Sequence, residues 1–181
     1  MSIDPRELRT CLGRFATGVT VITCAGEDTR HGATVNAFTA VSLDPPLVLV
    51  SLDRRTRISA YLPGMPFTVN VLHETQHDVA LHFAGRPMDR EPEWTPDGTA
   101  LCGVVATLTC SPWRNYDGGD HVLFLGKVEE LHHTTGEPLL FYGGAFRRLG
   151  PKEEAIPWLA SGDHPELSWF SPTEDAQRSR T

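Results

Sequence analysis

Apolar residues at Leu8, Cys11, Leu12 and Phe15 recur at i, i+3, i+4 and i+7, one stripe of helical period. The stripe follows Asp4-Pro5-Arg6-Glu7, which offers an N-cap, a proline for the first helical position and a capping-box glutamate. At Thr17-Gly18 the period changes to two. Val19-Thr20-Val21-Ile22-Thr23-Cys24 is β-branched almost throughout and predicts a strand. The polar turn over residues 26–32 predicts a hairpin into a second strand at 34–42, stopped by Asp44-Pro45-Pro46 because neither proline donates to a ladder. Residues 47–52 form a continuous apolar strand, expected to be covered on both faces. One or two helical turns follow at 56–62, then a strand at 67–72 and a helix at 74–84 with Val79 and Phe83 on one face. After a loop rich in proline and charge at 86–99, two longer strands are expected at 101–111 and 121–131, joined across Asp117-Gly118-Gly119-Asp120. The last core strand is expected at 139–149.

About six strands, a terminal helix and one or two inserted helices point to an antiparallel barrel rather than a doubly wound sheet. There is no regular βαβ alternation, no G-x-G-x-x-G after a strand and no phosphate-binding G-x-x-x-x-G-K-[ST]. With 181 residues the chain suits one domain, expected over residues 1–150, with a tail at 151–181 that is partly packed or disordered and carries Trp158, Trp169 and Phe170 as isolated apolar anchors. A net charge of −7 argues against a nucleic-acid binder, since phosphate neutralisation needs a basic surface. The longest apolar run, residues 45–50, is far short of the roughly 20 residues of a membrane helix. The opening Met1-Ser2-Ile3-Asp4 has no apolar signal core, so a cytoplasmic location is expected. Cys11, Cys24, Cys102 and Cys110 form no C-x-x-C pair and are expected to be buried, reduced thiols.

His73-Glu74-Thr75-Gln76-His77 spells H-E-x-x-H, the pattern by which zinc hydrolases hold metal and activate water on one helix. That chemistry requires a helix already running at the first histidine. Here His73 directly follows the alternating run Val69-Asn70-Val71-Leu72, so it sits at a strand-to-helix junction, and no metal site is expected. Glu74 and Gln76 suit a helix start without any metal. His132-His133 and the pairs Glu129-Glu130 and Glu153-Glu154 read as solvated polar runs, and no G-x-S-x-G supports a serine hydrolase.

Three ordered segments carry the functional reading. They are Phe15-Ala16-Thr17-Gly18-Val19-Thr20-Val21-Ile22-Thr23, the long run from Gly32-Ala33-Thr34-Val35-Asn36-Ala37-Phe38 through Asp44-Pro45-Pro46-Leu47-Val48-Leu49-Val50, and Gly119-Asp120-His121. With residues 67–72, Phe83-Ala84-Gly85 and Leu139-Leu140-Phe141-Tyr142 in the same order, the chain resembles the flavin reductases of two-component monooxygenases over about residues 7–149. The resemblance implies a mainly β fold, the antiparallel FMN-binding split barrel of Greek-key type. It also implies a homodimer with flavin near the subunit interface, and passage of reduced flavin to a separate monooxygenase.

A flavin ring needs backbone donors and acceptors at its polar edge and an apolar wall on its face. By resemblance Thr34, Val35, Asn36 and Ala37 line the isoalloxazine and ribityl. The phosphate contacts fall in the loop Ser51, Leu52, Asp53, Thr56 and Arg57 and around Phe83, Ala84 and Gly85. The loop holds Arg54, Arg55 and Arg57, a set of guanidiniums suited to phosphate, and which of them makes the bond stays open. His121 is implied near the nicotinamide of NADH, with Tyr142, Gly143 and Gly144 near the other end of the dinucleotide. Hydride transfer needs no acid or nucleophile, only the two reacting rings stacked at roughly 3–3.5 Å with water kept away. FAD is favoured over FMN, and NADH over NADPH, by resemblance alone. The alternatives are a flavin-binding barrel whose cofactor does not exchange and the zinc hydrolase of His73 and His77.

Overall fold

The computed structural model describes residues 3–25 and 29–151. Helix α1 (Pro5–Leu12) opens the chain, with the Asp4 carboxylate accepting the Arg6 N–H at 2.9 Å as its cap. Then come β1 (Thr17–Gly18), β2 (Thr20–Ala25), β3 (Arg30–Val35), β4 (Phe38–Leu43), β5 (Pro46–Asp53), α2 (Arg57–Tyr61), β6 (Phe67–Val71) and α3 (His77–Phe83). The long hairpin β7 (Ala106–Gly118) and β8 (His121–His133) follows, and β9 (Leu140–Tyr142) and β10 (Ala145–Arg147) end the described residues' regular structure.

Seven strands form one antiparallel sheet in the order β3-β2-β6-β7-β8-β5-β4. Although β3 and β4 are consecutive in the chain, they lie at opposite edges of this sheet. The sheet curls so that β3 approaches β5, and the short link Asn36-Ala37 spans the gap between its halves. Ile22, Ala33, Val50, Leu52, Val69, Cys110 and Phe124 fill the enclosed space, and α2 plugs it with Ile58 and Leu62. The walls come close enough that a methyl group on Gly126 would meet the Phe67 ring at 2.5 Å, so a side chain there is excluded. A second cluster of Val19, Val21, Leu72, Ala80, Leu101 and Leu139 lies under the smaller sheet β1-β9-β10. Between the clusters, the fully buried Asn70 donates to the Val21 carbonyl and the Thr23 hydroxyl and accepts the Leu101 N–H, all within 3.0 Å. The buried amide is thereby satisfied, and it ties the 94–101 loop to the barrel.

Several expectations change. The strand expected at 34–42 is two strands, broken at Asn36-Ala37, because the chain crosses there from one sheet edge to the other. The strand expected at 139–149 is the hairpin β9–β10, turned by Gly143 and Gly144, whose φ of 59° and 80° few other residues adopt. Strand β7 starts later than expected and runs on to Gly118. Cys24 and Cys110 are buried, but Cys102 is only partly covered and Cys11 is exposed, since the stripe of α1 finds no cover among the described residues. The tail at 151–181, with Trp158, Trp169 and Phe170, lies outside the described residues apart from Pro151. No described helix is long and apolar enough to cross a membrane.

Candidate functional site

The end of the barrel at the close of β5 gathers several of the residues singled out in the sequence. The Ser51 N–H donates to the Ala37 carbonyl at 3.0 Å, while Ser51 faces Leu123 on the other side of the strand. Two residues on, Asp53 faces His121, and His121 faces Gly118 across the hairpin. Asn36, Ala37, Ser51, Asp53 and His121 therefore share one rim, although His121 comes 85 positions after Asn36 in the chain. Asn36 and Ala37 are exposed there.

Other implied residues have their side chains committed. Leu52 points into the barrel core and Val35 packs against the same cluster, while the Val35 carbonyl accepts the Thr20 hydroxyl at 2.9 Å. The Thr34 hydroxyl donates to the Ala80 carbonyl at 2.7 Å, which ties β3 to α3. Through that tie Phe83-Ala84-Gly85, at the end of α3, stands beside β3, and the Phe83 ring covers Gly32 so closely that a methyl group there would meet it at 2.5 Å. Gly85 has a φ of 91° and open space around it. The Thr56 hydroxyl donates to the Asp53 carbonyl and closes the turn before α2.

The three arginines separate cleanly. Arg55 folds back on Asp53, with Nε and Nη2 bonding both carboxylate oxygens. This pairing holds the Asp53 carboxyl well below the usual carboxylate range. Arg54 turns the other way, to the β7–β8 turn, where Nη2 meets the Asp117 carboxylate at 3.0 Å and Nε donates to the Gly119 carbonyl at 2.8 Å. Of the three, that leaves Arg57, exposed at the first residue of α2, to meet an anion. The donor set of this rim suits a flavin: an exposed amide, a small residue and an exposed arginine at the start of α2.

His121 is half-buried, and its Nδ1 lies 2.7 Å from the Asp120 carboxylate, which leaves Nε2 as the free ring nitrogen. Tyr142, Gly143 and Gly144 belong to the smaller sheet, where the Gly143 N–H donates to the Gly13 carbonyl at 2.9 Å. The H-E-x-x-H string is divided. His73 precedes the helix, bridges to Pro138 and shares a hydrogen bond with the Thr75 hydroxyl, whereas His77 begins α3 and packs edge-on against Phe146. Glu74 faces Arg148. Among the described residues no three His, Cys, Asp or Glu side chains are grouped to hold a metal ion. The contacts of Arg54 with the turn were not foreseeable, because the only signal in the sequence is an arginine 65 residues from a glycine.

Residues 12–150 match the family described as "Flavin reductase like domain". The chain is 41% identical over 165 residues to an "NADH-dependent flavin reductase" of a Rhodococcus species, covering 86% of this chain and 93% of that one. It is 39% identical over 165 residues to the reductase subunit HsaB of a flavin-dependent monooxygenase from Rhodococcus jostii, covering 87% and 85%. Among solved structures, the Streptomyces globisporus NADH:FAD oxidoreductase SgcE6, in complex with NAD and FAD fragments, superimposes with a TM-score of 0.74 at 38% identity. That match covers 83% of this chain and 98% of the other.

Proposed function

The chain belongs to the flavin reductase like domain family, and from that membership we infer that it oxidises NADH, reduces a flavin and passes the reduced flavin to a separate monooxygenase component. Its fold is the antiparallel split barrel of that family. FAD is the favoured flavin, as in the NADH-dependent FAD reductase of Streptomyces globisporus, with FMN the alternative.

A bound flavin supplies the acceptor for the hydride; the chain's own groups hold, orient and shield. We assign the ring edge to the main chain of Thr34 and Val35 and to Asn36 and Ala37. The phosphate falls to the loop Ser51-Leu52-Asp53, to Thr56 and to Phe83-Ala84-Gly85, with Arg57 as its cation. The observation that carries this assignment is the shared rim of Ala37, Ser51, Asp53 and His121. His121 orients the nicotinamide, and Tyr142, Gly143 and Gly144 meet the far end of the dinucleotide. No side chain is required as acid or nucleophile, which agrees with a rim whose Asp53 and Asp117 carboxylates are engaged by arginine and whose Asp120 carboxylate pairs with His121.

Working as a homodimer fits the uncovered apolar stripe of α1, where Leu12 and Phe15 stay 65% and 77% exposed. We take residues 1–150 as the catalytic domain and residues 151–181 as an appended tail. The site of action is the cytoplasm.

NADH consumption with and without added FAD or FMN, each in the presence of a metal chelator, tests the reading. The expected result is turnover that requires free flavin and ignores the chelator. A tightly yellow protein without turnover would instead indicate a non-exchanging cofactor, and chelator-sensitive peptide cleavage would indicate a zinc hydrolase.

A further inference from the structure

We propose that Arg54 is a positioning residue for the hydride donor: it clamps the β7–β8 turn onto the end of β5 and so sets where His121 stands. This inference rests on the reading above, in which His121 meets the nicotinamide. Arg54 makes three contacts, each to a different residue of the turn. Its N–H donates to the Asp120 carbonyl at 3.0 Å, its Nε to the Gly119 carbonyl at 2.8 Å, and its Nη2 pairs with the Asp117 carboxylate at 3.0 Å. The Asp117 carboxylate also accepts the Gly119 N–H at 2.8 Å, so one acid joins the clamp to the turn's own hydrogen bond. The next residue after this braced stretch is His121.

The turn needs such bracing. Strand β6 pairs with β7 only as far as Cys110, opposite Phe67, so residues 112–118 of β7 have β8 as their one strand neighbour in the sheet. These residues are exposed. A two-stranded ribbon of this kind is marginal alone, and here the far side of β8 is held by β5, whose pairing ends at Asp53 facing His121. Arg54 extends that attachment past the end of the ladder. A lysine cannot replace it, since one ammonium does not reproduce two diverging guanidinium contacts to a carbonyl and a carboxylate. Arg54 is thus committed to the hairpin and not to the flavin phosphate.

The test compares wild type, Arg54→Met, Arg54→Lys and Asp117→Asn, measuring FAD affinity by titration together with KM and kcat for NADH. Displacement of a positioned group by a fraction of an ångström predicts a rise of about tenfold in KM for NADH in Arg54→Met, with FAD affinity and kcat within about twofold of wild type. Arg54→Lys should remain close to Arg54→Met, and Asp117→Asn should shift KM the same way by about threefold, since the two carbonyl contacts survive. A merely structural role would lower kcat through a smaller active fraction and leave KM in place. If Arg54→Met instead weakens FAD binding about tenfold and spares KM, Arg54 is a phosphate ligand and the proposal falls. Unchanged constants in all variants would mark an inert surface ion pair and would also overturn it. Should Arg54→Met fail to fold, Asp117→Asn decides alone, because its carboxylate is 81% exposed and dispensable to the core. A wild-type protein that does not oxidise NADH with FAD defeats the functional reading itself, before any variant is compared.

Discussion

Helices α1 and α2 make opposite use of similar residues. The longer α1 has a side-chain cap and a well-formed apolar stripe of Leu8, Cys11 and Leu12 continued by Phe15, yet none of its residues is buried. The five-residue α2 has no side-chain cap, yet Ile58 and Leu62 are about as buried as any group in the protein. Helical period therefore reports a face that seeks apolar cover, and not whether the same chain provides it. For α2 the cover is the open end of the barrel, which a short plug closes. For α1 no such surface exists among the described residues, and the stripe stays exposed as the face proposed above for a second copy.

Thiol chemistry should separate the two environments most sharply. Burial pushes the Cys110 thiol up to about 12, and burial also raises Cys24, while Cys11 stands exposed on α1. Burial keeps the Cys110 thiol protonated at pH 8, so an alkylating reagent should modify Cys11 rapidly and leave Cys24 and Cys110 unmodified until the protein unfolds. Mass spectrometry of the alkylated peptides reads this directly, and early loss of Cys24 or Cys110 would contradict the enclosed core. Next in size is Ile58→Ala, which removes the plug's main contact and should cost about 2–5 kcal/mol in urea unfolding. A cost below about 1 kcal/mol would place α2 with the surface, like α1. Smallest in folding energy is the pair Leu12→Ser with Phe15→Ser, expected to change the stability of the single chain by about 0.5 kcal/mol or less. In sedimentation the same pair should lower the mass from two chains to one. An unaltered dimer would mean that another face carries the association.

Much of the barrel was legible because alternation and β-branching mark its strands directly, as in residues 67–72. The split at Asn36-Ala37 was not, since residues 34–42 are β-prone throughout and nothing local says that the chain changes sheet edge there. Gly143-Gly144 carried a turn signal inside an apparent strand, and only the pairing of Ala145 with Tyr142 reveals the hairpin. The division of the H-E-x-x-H string was readable, because a strand pattern runs up to Leu72 and leaves no helix beneath His73. The site was legible as a set of segments but not as an arrangement. The pairing of Asp53 with His121 and the allocation of three neighbouring arginines to a turn, a carboxylate and solvent depend on closure of the barrel, which no local pattern encodes.

Release of the reduced flavin is the feature that distinguishes a supplier of an oxygenase from a holder of a cofactor. The most direct measurement is anaerobic reduction of excess FAD by NADH at a low protein concentration, followed by rapid ultrafiltration and quantification of reduced FAD in the filtrate. The expected result is many equivalents of reduced flavin per chain passing the filter, with the protein left largely colourless. One equivalent per chain, reduced once and retained with the protein, would contradict it.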